Sequence, residues 1–173
     1  ERIRQLSAIM MADLSNKPLE QVEGLFCNEV GYQTPKIDTR AAIFKEDKIL
    51  LVQEKNGTWA LPGGWCDVNV SVMENTIKEV KEEAGLDVVV KNVIAIQDRE
   101  KHNQPIYAYK VCKIFMLCEV EGGVFKENSE TIGFDYFTKD NLPILATEKN
   151  NEEQIQMCFD AYKAGENWKT YFD

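Results

Sequence analysis

The chain reads as an α/β protein built on a mixed sheet flanked by helices, and three observations predict this. Short runs rich in apolar and β-branched residues, TRAAIF and KILLVQE, precede one strongly patterned helix at residues 71–84. Three further runs of strand character, VVVKNVIAIQD, IYAYKVCKIFMLCEV and TIGFDYF, follow that helix. A last helical pattern, NEEQIQMCFDAYKAG, comes after them. Strands, helix, strands, helix is the order of a sheet covered by helices rather than of a bundle or a two-sheet sandwich. At 173 residues the chain is long enough for one substantial core and a small appendage.

The appendage comes first. ERIRQLSAIMMADL sets Ile3, Leu6, Ile9 and Met10 at helical spacing, and LEQVEGLFCNEV predicts a second helix that Gly24 weakens. GYQTPKID then reads as a connector, so residues 1–35 are expected to form a helical extension and residues 36–173 the main domain. The apolar face of the extension must pack on the main body or on another subunit, and both alternatives stay open. In the main domain the polar turn KED separates the first two strands, and NGTW leads into LPGG. In the central helix, Ser71 with Glu74 fits a capping box, and Gly85 fits the left-handed position just past the end. Met73, Ile77, Val80 and Ala84 supply its expected buried stripe. IYAYKVCKIFMLCEV is long enough to predict a bulge or sharp bend, and Ile155, Phe159 and Tyr162 lie near one face of the last helix.

Composition narrows the function classes. With 44% hydrophobic and 28% charged residues the chain has an ordinary globular balance, and it has no low-complexity segment or convincing repeat. Its 20 basic residues against 29 acidic ones give a net charge of -9, which disfavours nonspecific binding to polymeric nucleic acid or an anionic membrane. A nucleotide is still admissible, because a bound cation reverses the local sign. The five cysteines, Cys27, Cys66, Cys112, Cys118 and Cys158, contain no CxxC pair. Spacing alone leaves a Cys112–Cys118 disulfide open, but scattered thiols in a reducing, cytoplasmic compartment are the plainer account. A single histidine, His102, rules out a zinc site built on several histidines. No signal peptide or membrane-length apolar run is visible, although a first residue of Glu1 rather than Met leaves an upstream segment open.

The stretch LPGGWCDVNVSVMENTIKEVKEEAGL concentrates the chemistry. Glu82 follows Glu79 by three residues and Glu83 follows it by four, so all three carboxylates face one region of a helix surface. Their repulsion calls for compensation, and carboxylate oxygens are hard ligands suited to Mg2+ or Mn2+. Gly63 and Gly64 permit a close turn that leaves room for phosphate and offers backbone carbonyls to a cation. An acidic run is ordinarily a solvated face and a glycine pair ordinarily structural; the combination is what carries information.

At these residues the chain resembles a known family. Gly64, Glu79, Val80, Glu82, Glu83, Gly85 and Leu86 match in register the pattern G-x5-E-x7-R-E-U-x-E-E-x-G-U, with U aliphatic, of the Nudix hydrolases. LPGG and the preceding Trp59 also look like this family. DTRAAIF, VQEKNGTW, LPGGWCDV, ENTIKEVKEEAGL and DREKHN are most similar to bacterial members that carry a helical N-terminal extension and act on ADP-ribose or CDP-choline. The resemblance implies a Nudix-type α/β/α sandwich with a mixed sheet over roughly residues 36–165, plus the small N-terminal helical extension. It also implies that Glu79, Glu82 and Glu83 hold metal with help from Gly63, and that Glu82 and Glu83 serve catalysis. Two positions depart: Val70 stands where a glutamate is expected and Lys78 where an arginine is expected. Lys78 keeps the charge without the rigid guanidinium fork, and Glu74, four residues earlier, is a possible local partner for it.

Outside the motif, the resemblance implies that a late carboxylate completes the metal site or activates water, and Glu130, in a region that also holds Glu127, is the preferred candidate; its plain alternative is a solvated loop glutamate. The lone His102 reads first as surface structure, but the resemblance implies that the DREKHN loop contacts substrate, which makes Asp98, Arg99 and His102 second-tier substrate candidates. Arg40 is a candidate for a diphosphate oxygen unless it makes an ordinary strand salt bridge. Trp65 is a candidate to stack on a base, with Tyr107 and Tyr109 sharing the ambiguity between packing and binding. The expected function is divalent-metal-dependent hydrolysis of the pyrophosphate bond in a nucleoside diphosphate derivative, with a homodimer as a possible assembly. A noncatalytic nucleotide-binding module and a nucleoside triphosphate pyrophosphohydrolase are the alternatives.

Overall fold

The computed structural model of the chain describes residues 2–15, 18–26, 34–125 and 131–173. The backbone divides into two compact units, Glu1–Thr34 and Pro35–Asp173. In the first unit, α1 (Arg2–Ser15) and α2 (Leu19–Phe26) pack against each other. Ile3, Leu6, Ile9 and Met10 of α1 are exposed.

The second unit starts with β1 (Lys36–Lys45), β2 (Lys48–Glu54) and the short β3 (Trp59–Ala60). It continues through α3 (Val72–Ala84), β4 (Leu86–Asp98) and the single-turn α4 (Arg99–His102). After these come β5 (Val111–Gly123), β6 (Thr131–Phe137), α5 (Glu152–Ala164), a 3-10 turn at Gly165–Asn167 and β7 (Tyr171–Phe172). The strand order is β3-β2-β1-β5-β4-β7, with β6 paired to β2. β1 runs parallel to β5 from Lys36↔Val111 to Ile43↔Cys118, while β4 is antiparallel to β5 and β2 is antiparallel to β1, β3 and β6.

Alternate residues of β1 and β2 feed opposite faces of this mixed sheet. Ala42, Ile49 and Leu51 join Phe115 and the α5 residues Ile155 and Phe159 in one core cluster. Ala41, Ile43, Leu50 and Val52 join the α3 residues Val80 and Ala84 in the other. Both faces are therefore covered, which explains why these strands read as continuous apolar runs. The architecture is the α/β/α sandwich with a mixed sheet that the element order predicts.

Several details differ from expectation for physical reasons. β5 begins at Val111 rather than at residue 106. The irregularity expected in that strand is shared with β4: Lys91 and Ile94 are extra residues in β4, and Glu121 is one in β5. Met73 is half exposed; the buried side of α3 instead carries Asn75 and Thr76 beside Val80 and Ala84. These polar residues are affordable inside because Asn75 Nδ2 donates to Thr39 Oγ1 at 2.9 Å and Thr76 Oγ1 to the Val72 carbonyl at 2.8 Å. Tyr162 sits at the core margin, stacked on Phe44 with ring centroids 4.2 Å apart. Cys112 and Cys118 are free thiols, as are Cys66 and Cys158. Cys27 lies outside the described residues.

The last residues form a strap on β4. Trp168 Nε1 donates to the Ile94 carbonyl at 2.9 Å, Thr170 Oγ1 to the Val93 carbonyl at 2.9 Å, and β7 pairs in parallel with Ala95 and Ile96. Asp173 Oδ1 then accepts the Asp98 N–H at 2.8 Å. Among the described residues no helix is long and apolar enough to cross a membrane.

Candidate active site

α3 is placed by its own ends. Ser71 accepts the Glu74 N–H through its hydroxyl and Glu74 returns a bond to the Ser71 N–H, while Gly85 closes the helix at φ 70°. The LPGG segment lies along β1: the Ala41 N–H donates to the Pro62 carbonyl at 2.8 Å and the Thr39 N–H to the Gly64 carbonyl at 2.9 Å. The approach is so close that a Cβ on Gly63, whose φ is 145°, would stand 1.9 Å from the Thr39 carbonyl oxygen. A Cβ on Gly64 would stand 2.7 Å from Glu79 Oε2. The two glycines therefore let a strand, a turn and a carboxylate helix share one corner.

That corner opens into a cavity of about 460 Å³ lined by Gly63, Gly64, Glu79, Glu82 and Glu83, with Arg40, Trp65 and Arg99 among its other walls. Glu83 is buried and its Oε2 accepts the Gly63 N–H at 2.8 Å. Burial pushes its carboxyl up to about 7, although the Gly63 N–H, Arg40 and Lys149 all favour the ionised form. Glu79, half-buried, is also raised, first by burial and further by Glu82, against the pull of Lys78 and Arg40. Buried carboxylates held above their ordinary range are groups that a cation would relieve. Among the described residues no three His, Cys, Asp or Glu side chains converge as a ready-made metal cage. Glu83 is turned to Gly63 and Glu79 lies 3.4 Å from Lys78 Nζ.

Lys78 has a different partner from the one the sequence suggests. Its Nζ lies 2.7 Å from Asp67 Oδ2, and that hydrogen bond holds the ammonium well above the usual lysine range. Glu74 is spent on the helix cap instead. Asp67, in the loop between the glycines and α3, thus takes the place that Val70 vacates.

Arg40 is buried and already engaged: Nη2 and Nε meet the Asp38 carboxylate at 2.7 and 3.1 Å, and Nη1 donates to the Leu61 carbonyl at 3.2 Å. Arg99 is buried as well. Its Nε and Nη2 donate to the Glu148 carbonyl at 3.2 and 3.1 Å and its Nη1 to the Pro105 carbonyl at 2.7 Å, with the guanidinium 3.5 Å from the centroid of the Tyr107 ring. Trp65 is half exposed at the mouth, its ring centroid 6.0 Å from that of Tyr109.

Asp98 and His102 do not line this cavity. Asp98 caps α4 by accepting the Glu100 N–H at 3.1 Å and pairs with Lys110 at 3.2 Å. His102 Nε2 lies 2.5 Å from Asp173 Oδ2 and borders a separate cavity of about 260 Å³ with Gln97, Met157 and Trp168. Glu127 and Glu130 lie outside the described residues.

The cavity also recruits residues that the sequence reading missed. Asp38, Asp67, Glu148 and Lys149 line it. Behind it Lys113 of β5, 1% exposed, donates to Asn103 Oδ1 at 3.0 Å and to the Lys149 carbonyl. Burial pushes that ammonium down to about 7, with Asp38 as the main opposing influence. The available signal for Lys113 was a charge inside the apolar run VCKIFML; ATEKNN, which holds Lys149, looks like any polar loop.

Residues 34–158 match the NUDIX domain family. Over 174 aligned residues the chain is 41% identical to YjhB of Bacillus subtilis (strain 168), whose name carries a provisional assignment as an ADP-ribose pyrophosphatase; the alignment covers 100% of this chain and 83% of that protein. An ADP-ribose pyrophosphatase from Streptococcus suis 89-1591 superposes with a TM-score of 0.76 at 55% identity, covering 81% of this chain and 100% of that one. A UDP-X diphosphatase superposes with a TM-score of 0.77 at 30% identity, covering 99% of this chain and 85% of that one.

Proposed function

The chain belongs to the Nudix hydrolase family, and from that premise we propose that it hydrolyses the pyrophosphate bond of nucleoside diphosphate derivatives, with ADP-ribose and CDP-choline as the first substrates to test. The observation that carries this reading is the buried, pKa-raised Glu83 held by Gly63 beside Glu79 in one cavity. Family membership supports pyrophosphate hydrolysis on nucleotide-derived substrates in general; the names of two relatives support ADP-ribose, and CDP-choline rests on the sequence resemblance alone.

The donor set fits Mg2+ or Mn2+: hard carboxylate oxygens from Glu79, Glu82 and Glu83, with the Gly63 carbonyl beside them. When bound, such an ion offsets diphosphate charge and makes water a better nucleophile. The chain's own residues do the rest. The Gly63 N–H fixes the direction of Glu83, and Lys78, pinned by Asp67, steadies Glu79. Arg40, its fork filled by Asp38, contributes positive potential next to the diphosphate rather than a free bidentate clamp. Arg99 steadies Tyr107, and Trp65 offers an aromatic face at the mouth for the base. Glu130 is proposed to complete the site as general base, and Asp98 and His102 act on substrate only through the placement of α4. ADP-ribose would give AMP and ribose 5-phosphate, and CDP-choline would give CMP and phosphocholine. The exposed apolar residues of α1 support a homodimer, which a solution mass tests.

The test is product identification with Mg2+ or Mn2+ on a panel of ADP-ribose, CDP-choline, NADH and nucleoside triphosphates. The expected result is cleavage of a diphosphate derivative, abolished in Glu82→Gln. No product above that variant would leave a noncatalytic binding module, and preferential release of pyrophosphate from a triphosphate would reassign the substrate.

A further inference from the structure

Lys149 is presented to the cavity by a segment of chain that is held with unusual investment. The Ala146 N–H donates to the Trp59 carbonyl at 2.8 Å, and Asn150 Oδ1 accepts the Leu61 N–H at 2.7 Å. Between them, two buried cations are spent on consecutive backbone carbonyls, Arg99 on Glu148 and Lys113 on Lys149. Burying a cation to hold a carbonyl is costly, so the position it fixes must matter to the fold or to the site. The side chain delivered there is an ammonium on a flexible four-carbon stem, in the same cavity as Glu79, Glu82 and Glu83.

The other cations of that cavity are committed. Arg40 is bound to Asp38 and Leu61, Lys78 to Asp67, and Arg99 to two carbonyls and the Tyr107 face. Among the described residues Lys149 Nζ instead makes one ion pair, 2.6 Å from Oε1 of Glu54. Glu54 ends β2 at the point where pairing with β6 shifts register. Its side chain is only 18% exposed and that of Lys149 35%. A partly exposed ammonium on a soft tether, its backbone fixed and paired with the Glu54 carboxylate, is built to change partners.

We propose that Lys149 is a substrate-contacting residue whose ammonium leaves Glu54 to bind a nonbridging oxygen of the diphosphate. Glu54 is a positioning residue that holds the arm at the site before substrate binds. This assignment rests on the diphosphate reading of the cavity given above, and it adds a residue outside the carboxylate helix that sets affinity.

The test uses the full chain with Mg2+ and two readouts: steady-state hydrolysis of ADP-ribose and CDP-choline, and calorimetric binding of α,β-methylene ADP-ribose, whose bridge is not cleaved. Lys149→Met is expected to raise KM and the methylene Kd by about 10- to 100-fold with kcat little changed, as for loss of one charge-assisted bond made equally in ground and transition states. Lys149→Arg is expected to recover most of that affinity. Glu54→Gln, which frees the ammonium, is expected to tighten methylene binding severalfold; a merely structural ion pair would make Glu54→Gln weaken it in step with Lys149→Met. Binding by Lys149→Met within twofold of the wild type, the same sign of change in both variants, or no methylene binding by the wild type each overturns the assignment. A wild type that cleaves neither substrate refutes the hydrolase reading, while the methylene titration still decides the role of Lys149.

Discussion

Gly63 and Gly64 share a corner but differ in what would yield to an added methyl. At Gly63 the obstacle is the Thr39 backbone, at 1.9 Å, and φ lies in the region that side chains avoid. Gly63→Ala is expected to cost roughly 3 kcal/mol or more in urea unfolding. At Gly64 the obstacle is the end of the Glu79 side chain, at 2.7 Å, which can rotate. Gly64→Ala should therefore stay folded with little change in midpoint and lose metal affinity, read by Mn2+ titration. Glu83 has a signed pH effect. Its folded carboxyl sits at about 7, above an ordinary unfolded carboxyl near 4.5, so between those values the native state holds the extra proton. The metal-free protein therefore keeps this contribution below about pH 4.5 and loses it as pH rises through 7. Glu83→Gln, which still accepts the Gly63 N–H, should be more stable than wild type at pH 8 in chelator by on the order of 3 kcal/mol and equal to it near pH 4.5. Equal stability at pH 8 would contradict this. The glutamates and glycines were legible as a linear pattern. The partner of Lys78 was not, because Glu74 and Asp67 are both within reach in sequence and only the cap decides between them.

At the scale of elements, α3 is the best-signalled part of the chain because its information is local. Ser71, Glu74 and Gly85 announce its ends, and both caps form. Ser71→Ala should cost about 1 kcal/mol, measured as a lower unfolding midpoint. Its buried face was less legible: Met73 is pushed out and Asn75 taken in because Thr39 of β1 offers Asn75 a hydrogen bond. No helical periodicity encodes a partner 36 residues away. The strands follow the same division. Apolar runs reveal β1 and β2, which are covered on both faces, whereas IYAYK resembles a strand by composition but lies outside the pairing of β5 with β1 and β4.

At the scale of the molecule, the order of elements was enough to give the sandwich, while the walls of the cavity come from segments far apart in sequence. Arg99 of α4 and Lys113 of β5 converge on the carbonyls of Glu148 and Lys149, Asn150 in the same segment accepts the Leu61 N–H, and none of these contacts has a local signature. The strap from Trp168 to Asp173 is equally silent in sequence, since its pairs are made to Val93, Ile94 and Asp98. Its position has a consequence beyond the cavity. β4 ends the order of the larger strands, and its outer N–H and C=O groups would form an open template for a foreign strand. Two residues of parallel pairing, a tryptophan latch and a carboxylate cap cover that template from Val93 to Asp98. Removing residues 168–173 should leave a folded core that self-associates by edge-to-edge growth, seen as rising light scattering with concentration. The tail then serves as a guard against fibrillation as much as a piece of the native fold.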